Sequence, residues 1–197
     1  MANNNPQKPK AINAILKLVL LGDGAVGKTT LRRRFLGEGF KAGYSATIGA
    51  DFAIKRITLE NYRLTFQIWD LAGQQRFAAV RELYYRGSRG ALLIFDVTNP
   101  TSFNNLPKWL EELWKKAGRV PMILCGNKID LRDEVPKCIP AELGQEYARR
   151  LSETLGHEVP YIETSAKTGE KVNEAFFLLG LSIIRSVKKP KSILENE

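Results

Sequence analysis

The chain has 197 residues, 44% hydrophobic and 26% charged, which suits one well-packed soluble domain and leaves little length for a second. No apolar run reaches the roughly 18 residues of a membrane span, and the opening Met1-Ala2-Asn3-Asn4-Asn5-Pro6 is too polar for a secretory signal, so the sequence predicts a cytoplasmic protein. A formal charge of +9 raises nucleic acid as a partner, but neither a zinc spacing nor an aromatic-rich basic motif accompanies it.

Residues 1–11 form a polar arm containing Asn and Pro, predicted to be flexible. The apolar run over residues 15–21 reads as a buried strand, and residues 30–36 read as a helix. Between them stands Gly22-Asp23-Gly24-Ala25-Val26-Gly27-Lys28-Thr29, which fits G-x-x-x-x-G-K-[ST] in its strand, loop and helix context. Glycines remove side chains so that consecutive N–H groups can point at phosphate oxygens, reinforced by the positive end of the next helix. Lys28 then reaches the β- and γ-phosphates, and the Thr29 hydroxyl ligates Mg²⁺. The competing structural reading is a glycine turn with an ordinary exposed lysine.

Residues 37–49 are a long glycine-containing segment without sustained period, and loops of that length in a compact domain are usually functional. Residues 50–59 alternate Phe52, Ile54, Ile57 and Leu59 with polar residues, though imperfectly, and residues 63–69 alternate Leu64, Phe66 and Ile68. The short Glu60-Asn61-Tyr62 connection makes these an antiparallel hairpin. Three more strands, at 90–97, 121–126 and 160–163, alternate with helices, which predicts an α/β fold with a mostly parallel sheet and helices on both faces. Residues 171–188 read as a closing amphipathic helix burying Val172, Ala175, Phe176, Leu179, Ile183 and Val187.

Ligands of such sheets gather at the carboxyl ends of the strands. The residues expected just after the third, fifth and sixth strands are Asp70-Leu71-Ala72-Gly73-Gln74, Asn127-Lys128-Ile129-Asp130 and Thr164-Ser165-Ala166-Lys167. Beside a phosphate loop, the Asp70 carboxylate can hold a Mg²⁺ water and the Gly73 N–H can reach the terminal phosphate. Asp130 can accept hydrogen bonds from N1–H and the exocyclic amine of guanine, which adenine does not present in that arrangement. The Lys128 stem can lie along the base, and the turn at Ser165-Ala166-Lys167 can offer an N–H to guanine O6. Each motif alone also reads as a polar turn.

Together these motifs, in this order over residues 15–188, resemble a small GTPase of the Ras superfamily. Thr47-Ile48-Gly49 with Asp51-Phe52, and Trp69-Asp70 with Ala72-Gly73-Gln74 and Arg76-Phe77, are similar to Rab proteins, whereas residues 22–29 read as Rho proteins do. Leu71 stands where Rab proteins usually carry threonine, and the segment between Asp130 and Ser165 is longer than in a minimal Ras-like domain. The resemblance implies a P-loop G domain over residues 12–188, with six strands, one of them an antiparallel edge strand, and a short tail at 189–197.

It further implies GTP or GDP held with Mg²⁺. Gly22, Gly24, Ala25, Val26, Gly27, Lys28, Thr29 and Thr30 would line the phosphates. Phe40 would pack on guanine, and Tyr44 would close over the phosphates. Thr47 and Gly73 would meet the γ-phosphate end, with Asn127, Lys128, Asp130, Ser165, Ala166 and Lys167 at the base. Thr29, Thr47 and Asp70 would serve the metal. Gln74 would orient the attacking water beside Lys28 and Gly73, and Gln75 would not. No arginine in residues 37–49 offers an internal finger and Arg76 is a weak candidate, so slow turnover and an activating protein are expected, with an exchange factor and effectors.

Three basic clusters, Lys8 with Lys10, Arg32-Arg33-Arg34, and Lys188-Lys189-Pro190-Lys191, read first as a solvated basic face, then as contact with an anionic membrane or an acidic protein. The sequence has no terminal cysteine for prenylation and no glycine after Met1 for myristoylation, so any membrane visit is expected to be peripheral. Cys125 and Cys138 have no metal spacing, and His157 is the single histidine. Two readings follow: a cycling GTPase switch, and a guanine-nucleotide-binding interaction module that hydrolyses little.

Overall fold

The computed structural model describes residues 11–40, 47–74 and 78–188. Tyr44, Gln75, Arg76, Phe77, the expected tail and the terminal basic clusters at Lys8, Lys10 and Lys189 onward lie outside the described residues, as does the expected arm before Ala11. The elements are β1 (Ile12–Leu21), α1 (Lys28–Leu36), β2 (Ala50–Leu59), β3 (Tyr62–Leu71), α2 (Ala78–Tyr85), β4 (Gly90–Asp96), α3 (Pro100–Asn104), α4 (Leu106–Ala117), β5 (Met122–Asn127), α5 (Ala141–Leu155), β6 (Tyr161–Thr164) and α6 (Val172–Lys188). Among the described residues the six strands form one sheet in the order β2-β3-β1-β4-β5-β6. β2 runs antiparallel to β3 at one edge, and every other pairing is parallel.

Side chains alternate across a strand, so each strand feeds two cores. Leu16, Leu18 and Leu20 of β1 join Leu31 and Phe35 of α1 and Phe176, Leu179 and Ile183 of α6. Val19 and Leu21 face the other way, into Leu106, Leu110 and Leu113 of α4 and Ala148 and Leu151 of α5. The central strand β4 is buried along its whole length, as a strand covered on both faces must be.

The hairpin turn is one residue shorter than expected, because Tyr62 already pairs with Leu59; Glu60 takes φ 52 at the turn. In β2 the apolar parity changes between Ile54 and Ile57. Ile57 and Leu59 pack on the core, while Phe52 and Ile54 stand on the opposite face, 42% and 49% exposed. In α6, Ile184 is buried and Val187 is 77% exposed, correcting the expected stripe; at 100° per residue position 187 keeps the angle of Phe176 and Ile183, and it is exposed because the end of the helix runs past the sheet. Val172, Ala175, Phe176, Leu179 and Ile183 are buried as expected.

The long segment after Asp130 is tied down rather than loose. Ile139 N–H donates to Val97 O at 2.7 Å, Arg132 Nη1 donates to Ile139 O at 2.8 Å, and Arg132 pairs with Glu163. The Phe35 and Phe176 rings stack with centroids 4.0 Å apart and planes 7° apart, joining α1 to α6. Phe176→Ala is expected to cost about 3–5 kcal/mol, read as a lower urea midpoint at unchanged slope.

Candidate functional site

The loop from Gly22 to Thr29 joins β1 to α1 at the carboxyl rim of the sheet. Its path uses left-handed backbone at Gly22 (φ 137), Ala25 (φ 65) and Gly27 (φ 101). A Cβ on Gly27 would lie 2.3 Å from Asn127 Nδ2, and one on Gly73 would lie 2.4 Å from Gly24 N, so both positions exclude any side chain. Val26 turns its side chain into the core and offers its carbonyl to Asn127 Nδ2 at 2.8 Å.

Lys28 is 5% exposed, and its Nζ donates to Gly22 O at 2.7 Å and Asp23 O at 2.8 Å. Burial pushes its pKa down to about 8, with Asp70 and Asp23 pulling upward and Arg81 adding to the depression. Thr29, at the start of α1, donates to Asp70 Oδ2 at 2.5 Å, and its hydroxyl lies 2.9 Å from that of Thr47. Burial raises the Asp70 carboxyl above its ordinary range, against the opposing pull of the Thr29 hydroxyl, Lys28 and Arg32. Asp70 Oδ1 is buried without a hydrogen-bond partner among the described residues.

A cleft opens above these groups. It is lined by Gly24, Ala25, Gly27, Lys28, Thr29 and Thr30 from the loop and α1, and by Arg33, Gly39, Phe40, Thr47, Gly73, Gln74 and Lys128. Phe40 is 45% exposed there. Asp70, Asn127 and Thr164 are not after their strands as expected; each belongs to the strand's end, because the ladder continues to the rim.

Asn127 is fully buried and braces the site. Its Oδ1 accepts from Thr164 Oγ1 at 3.1 Å and Ala166 N at 3.2 Å while its amide holds Val26. Lys128 takes φ 69 and its Nζ pairs with Asp96 at 2.7 Å. Ser165 Oγ donates to Asp130 Oδ1 at 2.5 Å, and Lys167 Nζ lies 3.9 Å from Asp130 Oδ2. The phosphate loop and base motifs therefore share one rim.

Sequence reasoning missed several supports. Trp109 Nε1 and Asn105 Nδ2 of the α3–α4 region donate to the two Asp23 carboxylate oxygens at 2.8 and 2.7 Å. Arg81 is fully buried; it donates to Ala72 O at 3.0 Å and Gln74 O at 2.7 Å and pairs with Glu112 at 2.8 Å. Its guanidinium lies 4.4 Å from the Trp109 ring centroid. Arg33 lines the cleft although it precedes residues 37–49. Phe52, Trp69 and Tyr84 form a row with centroids 4.9 and 5.0 Å apart on the sheet face where Phe52 is exposed. The imperfect alternation of residues 50–59 is the sequence signal for this row.

A phosphate loop, a hydroxyl that meets both a carboxylate and a second hydroxyl, and a guanine-type motif on one rim of a six-stranded sheet define the class: a P-loop GTPase. The Ras family profile matches residues 17–185. The chain is 41% identical over 189 residues to the GTP-binding protein ypt2 of Schizosaccharomyces pombe, covering 95% of this chain and 88% of that protein. It is 42% identical over 176 residues to the Ras-related protein RAB1BV of Beta vulgaris, covering 89% and 77%. Against Ras-related protein Rab-8B of Homo sapiens it is 36% identical over 181 residues, covering 91% and 84%. The chain belongs to the Ras family, as a small GTPase of Rab type.

Because Gly27 has neither the room nor the φ for a methyl group, Gly27→Ala is expected to displace Asn127 and the loop together. Purified protein would then retain little nucleotide, measured by chromatography after denaturation, at roughly a tenfold or greater loss of affinity.

Proposed function

We propose that this GTPase works as a slow molecular switch in signalling or trafficking, with the rim residues in the following roles. Backbone N–H groups of the loop and Lys28 bind the phosphates, with Gly22, Gly24, Ala25, Val26 and Gly27 setting the loop and Thr30 lining it. Thr29, Thr47 and Asp70 hold Mg²⁺. Three observations support that fit: the two hydroxyls are 2.9 Å apart, one of them donates to Asp70, and Asp70 retains a buried oxygen without a partner among the described residues. The ion would neutralise charge on the phosphate oxygens. Asp130, Lys128 and the Ser165-Ala166-Lys167 turn read guanine beside Phe40, and Asn127 holds that turn against the phosphate loop. Tyr44 keeps its proposed place over the phosphates, outside the described residues.

The single observation that carries this reading is the meeting of Thr29, Thr47 and Asp70 in a cleft also lined by Lys28, Gly73 and Gln74. No described group around it is a free general base, so catalysis rests on positioning and charge stabilisation. Gln74 orients water while Gly73 and Lys28 meet developing charge. An arginine supplied in trans would raise the rate by roughly 10³ to 10⁵. Leu71, standing where Rab proteins usually carry threonine, is fully buried in the core, so that departure supports repacking rather than lost chemistry.

Regulators follow from such a cycle: an exchange factor, a GTPase-activating protein and effectors. The Phe52, Trp69 and Tyr84 row adjoins both segments that would respond to the γ-phosphate, which supports it as an effector surface. Among the described residues no helix is long and apolar enough to cross a membrane. The proposed setting is the cytoplasm, with peripheral contact at anionic membranes through charge or a partner.

Gln74→Leu is expected to lower GTP turnover by roughly tenfold or more with nucleotide still bound, followed in a single-turnover assay; undiminished turnover removes Gln74 from the mechanism. Asp130→Asn, assayed beside it, is expected to admit xanthine nucleotide. Separately, Phe52→Ala is expected to leave GTP turnover unchanged and to reduce GTP-dependent effector binding by roughly tenfold, measured by titrating an isolated effector.

A further inference from the structure

The run Arg32-Arg33-Arg34 has the composition of a basic patch, yet its outer members turn inward. Arg32 is 5% exposed and its guanidinium pairs with Asp51 at the head of β2. Arg34 donates from Nε to Ala166 O at 3.3 Å and from Nη2 to Lys167 O. Two residues apart on a helix means about 200° of rotation, so the pair reaches opposite sides of α1. One side is the limb carrying Thr47, and the other is the base turn.

Resting on the guanine-nucleotide and Mg²⁺ reading above, we propose that Arg32 and Arg34 are positioning residues that set the metal side and the base side of the cleft independently. On the metal side the contacts form two rungs. Thr29 and Arg32 are three residues apart and share a face of α1; Thr47 and Asp51 oppose them on the limb. The limb is also held by the β2–β3 ladder from Ala50 onward and at Gly49, whose carbonyl accepts from Ala72 N at 2.8 Å. Asp51 is pushed up by burial but held below its ordinary range by the Arg32 hydrogen bond and charge, as a lasting ion pair requires. Arg32 thus acts on the metal through the placement of the Thr47 hydroxyl.

On the base side, a trans peptide points its N–H opposite its C=O. Holding the carbonyls of Ala166 and Lys167 therefore fixes the directions of the Lys167 and Thr168 N–H groups. Thr168 N–H meets Ser165 Oγ at 3.0 Å, and Ser165 in turn donates to Asp130. The Arg34 side chain also packs within 3.4–3.6 Å of where a Gly169 Cβ would stand, so the turn has a wall as well as two anchors.

The test is release of fluorescent GDP from the full chain, with EDTA and across a Mg²⁺ titration, in Arg32→Met and Arg34→Met, which keep an unbranched apolar stem. Arg34→Met is expected to speed release roughly tenfold with or without Mg²⁺. Arg32→Met is expected to match wild type in EDTA and to need roughly tenfold more Mg²⁺ to slow release. Asp51→Asn is expected to reproduce that Mg²⁺ shift without adding to it in the double variant, and Arg32→Lys to restore part of it. Equal acceleration by Arg32→Met in EDTA and in Mg²⁺, or additivity with Asp51→Asn, would overturn the metal-side role. An Arg34→Met release rate like wild type would overturn the base-side role. Wild-type release indifferent to Mg²⁺ would instead contradict the metal reading beneath the proposal. Thermal melts of each variant separate these outcomes from general unfolding.

Discussion

Crowding of backbone against backbone at the carboxyl rim is the constraint from which the rest of this structure follows. A Cβ on Gly22 would fall 2.0 Å from Ile94 O and one on Gly73 2.4 Å from Gly24 N, while one on Gly27 would meet the Asn127 side-chain amide at 2.3 Å. Three separate stretches of chain therefore meet without side chains between them. Polar backbone brought that close must be satisfied or face a ligand. The loop answers with the Lys28 ammonium on its own carbonyls and with Asn127 on Val26. In the proposed mechanism its N–H groups bind a polyphosphate in the cleft.

That crowded rim is supported from behind by α4. Asp23, inside the phosphate loop, is held by Trp109 and Asn105, and the Trp109 ring lies under Arg81. Arg81 in turn holds the carbonyls of Ala72 and Gln74 and is neutralised by Glu112, to which Tyr85 also donates at 3.0 Å. The loop and the Gly73–Gln74 segment thus share one platform. Packed, charged and hydrogen-bonded groups link the two without a gap. The Rab-type relatives and the Ras family match place this platform in a family of switches.

Much of this was legible in the sequence because it is local. The loop spacing, the polar strand ends and the alternation of strands with helices are short-range patterns, and they located the rim and its fold. The parity change in β2 was read as imperfect alternation; it is the device that turns Phe52 and Ile54 away from the core toward Trp69. Trp109 and Asp23 are 86 positions apart, and no spacing rule connects an indole to a carboxylate at that distance. The arginine run was read by composition as a surface, whereas its direction is set by helix rotation and by partners at Asp51 and Ala166. Val187 failed for the simpler reason that the last turn of α6 has outrun the sheet.

The central claim is that one rim both holds the nucleotide and reports its γ-phosphate through Thr47 and Gly73. Amide hydrogen exchange on the protein loaded in turn with GDP and with a non-hydrolysable GTP analogue, both with Mg²⁺, addresses it directly. Slower exchange at residues 47–52 and 70–74 in the GTP-analogue form, against unchanged exchange in β4 and β5, is the result this account predicts. Identical exchange in the two states would mean that the rim binds nucleotide without switching.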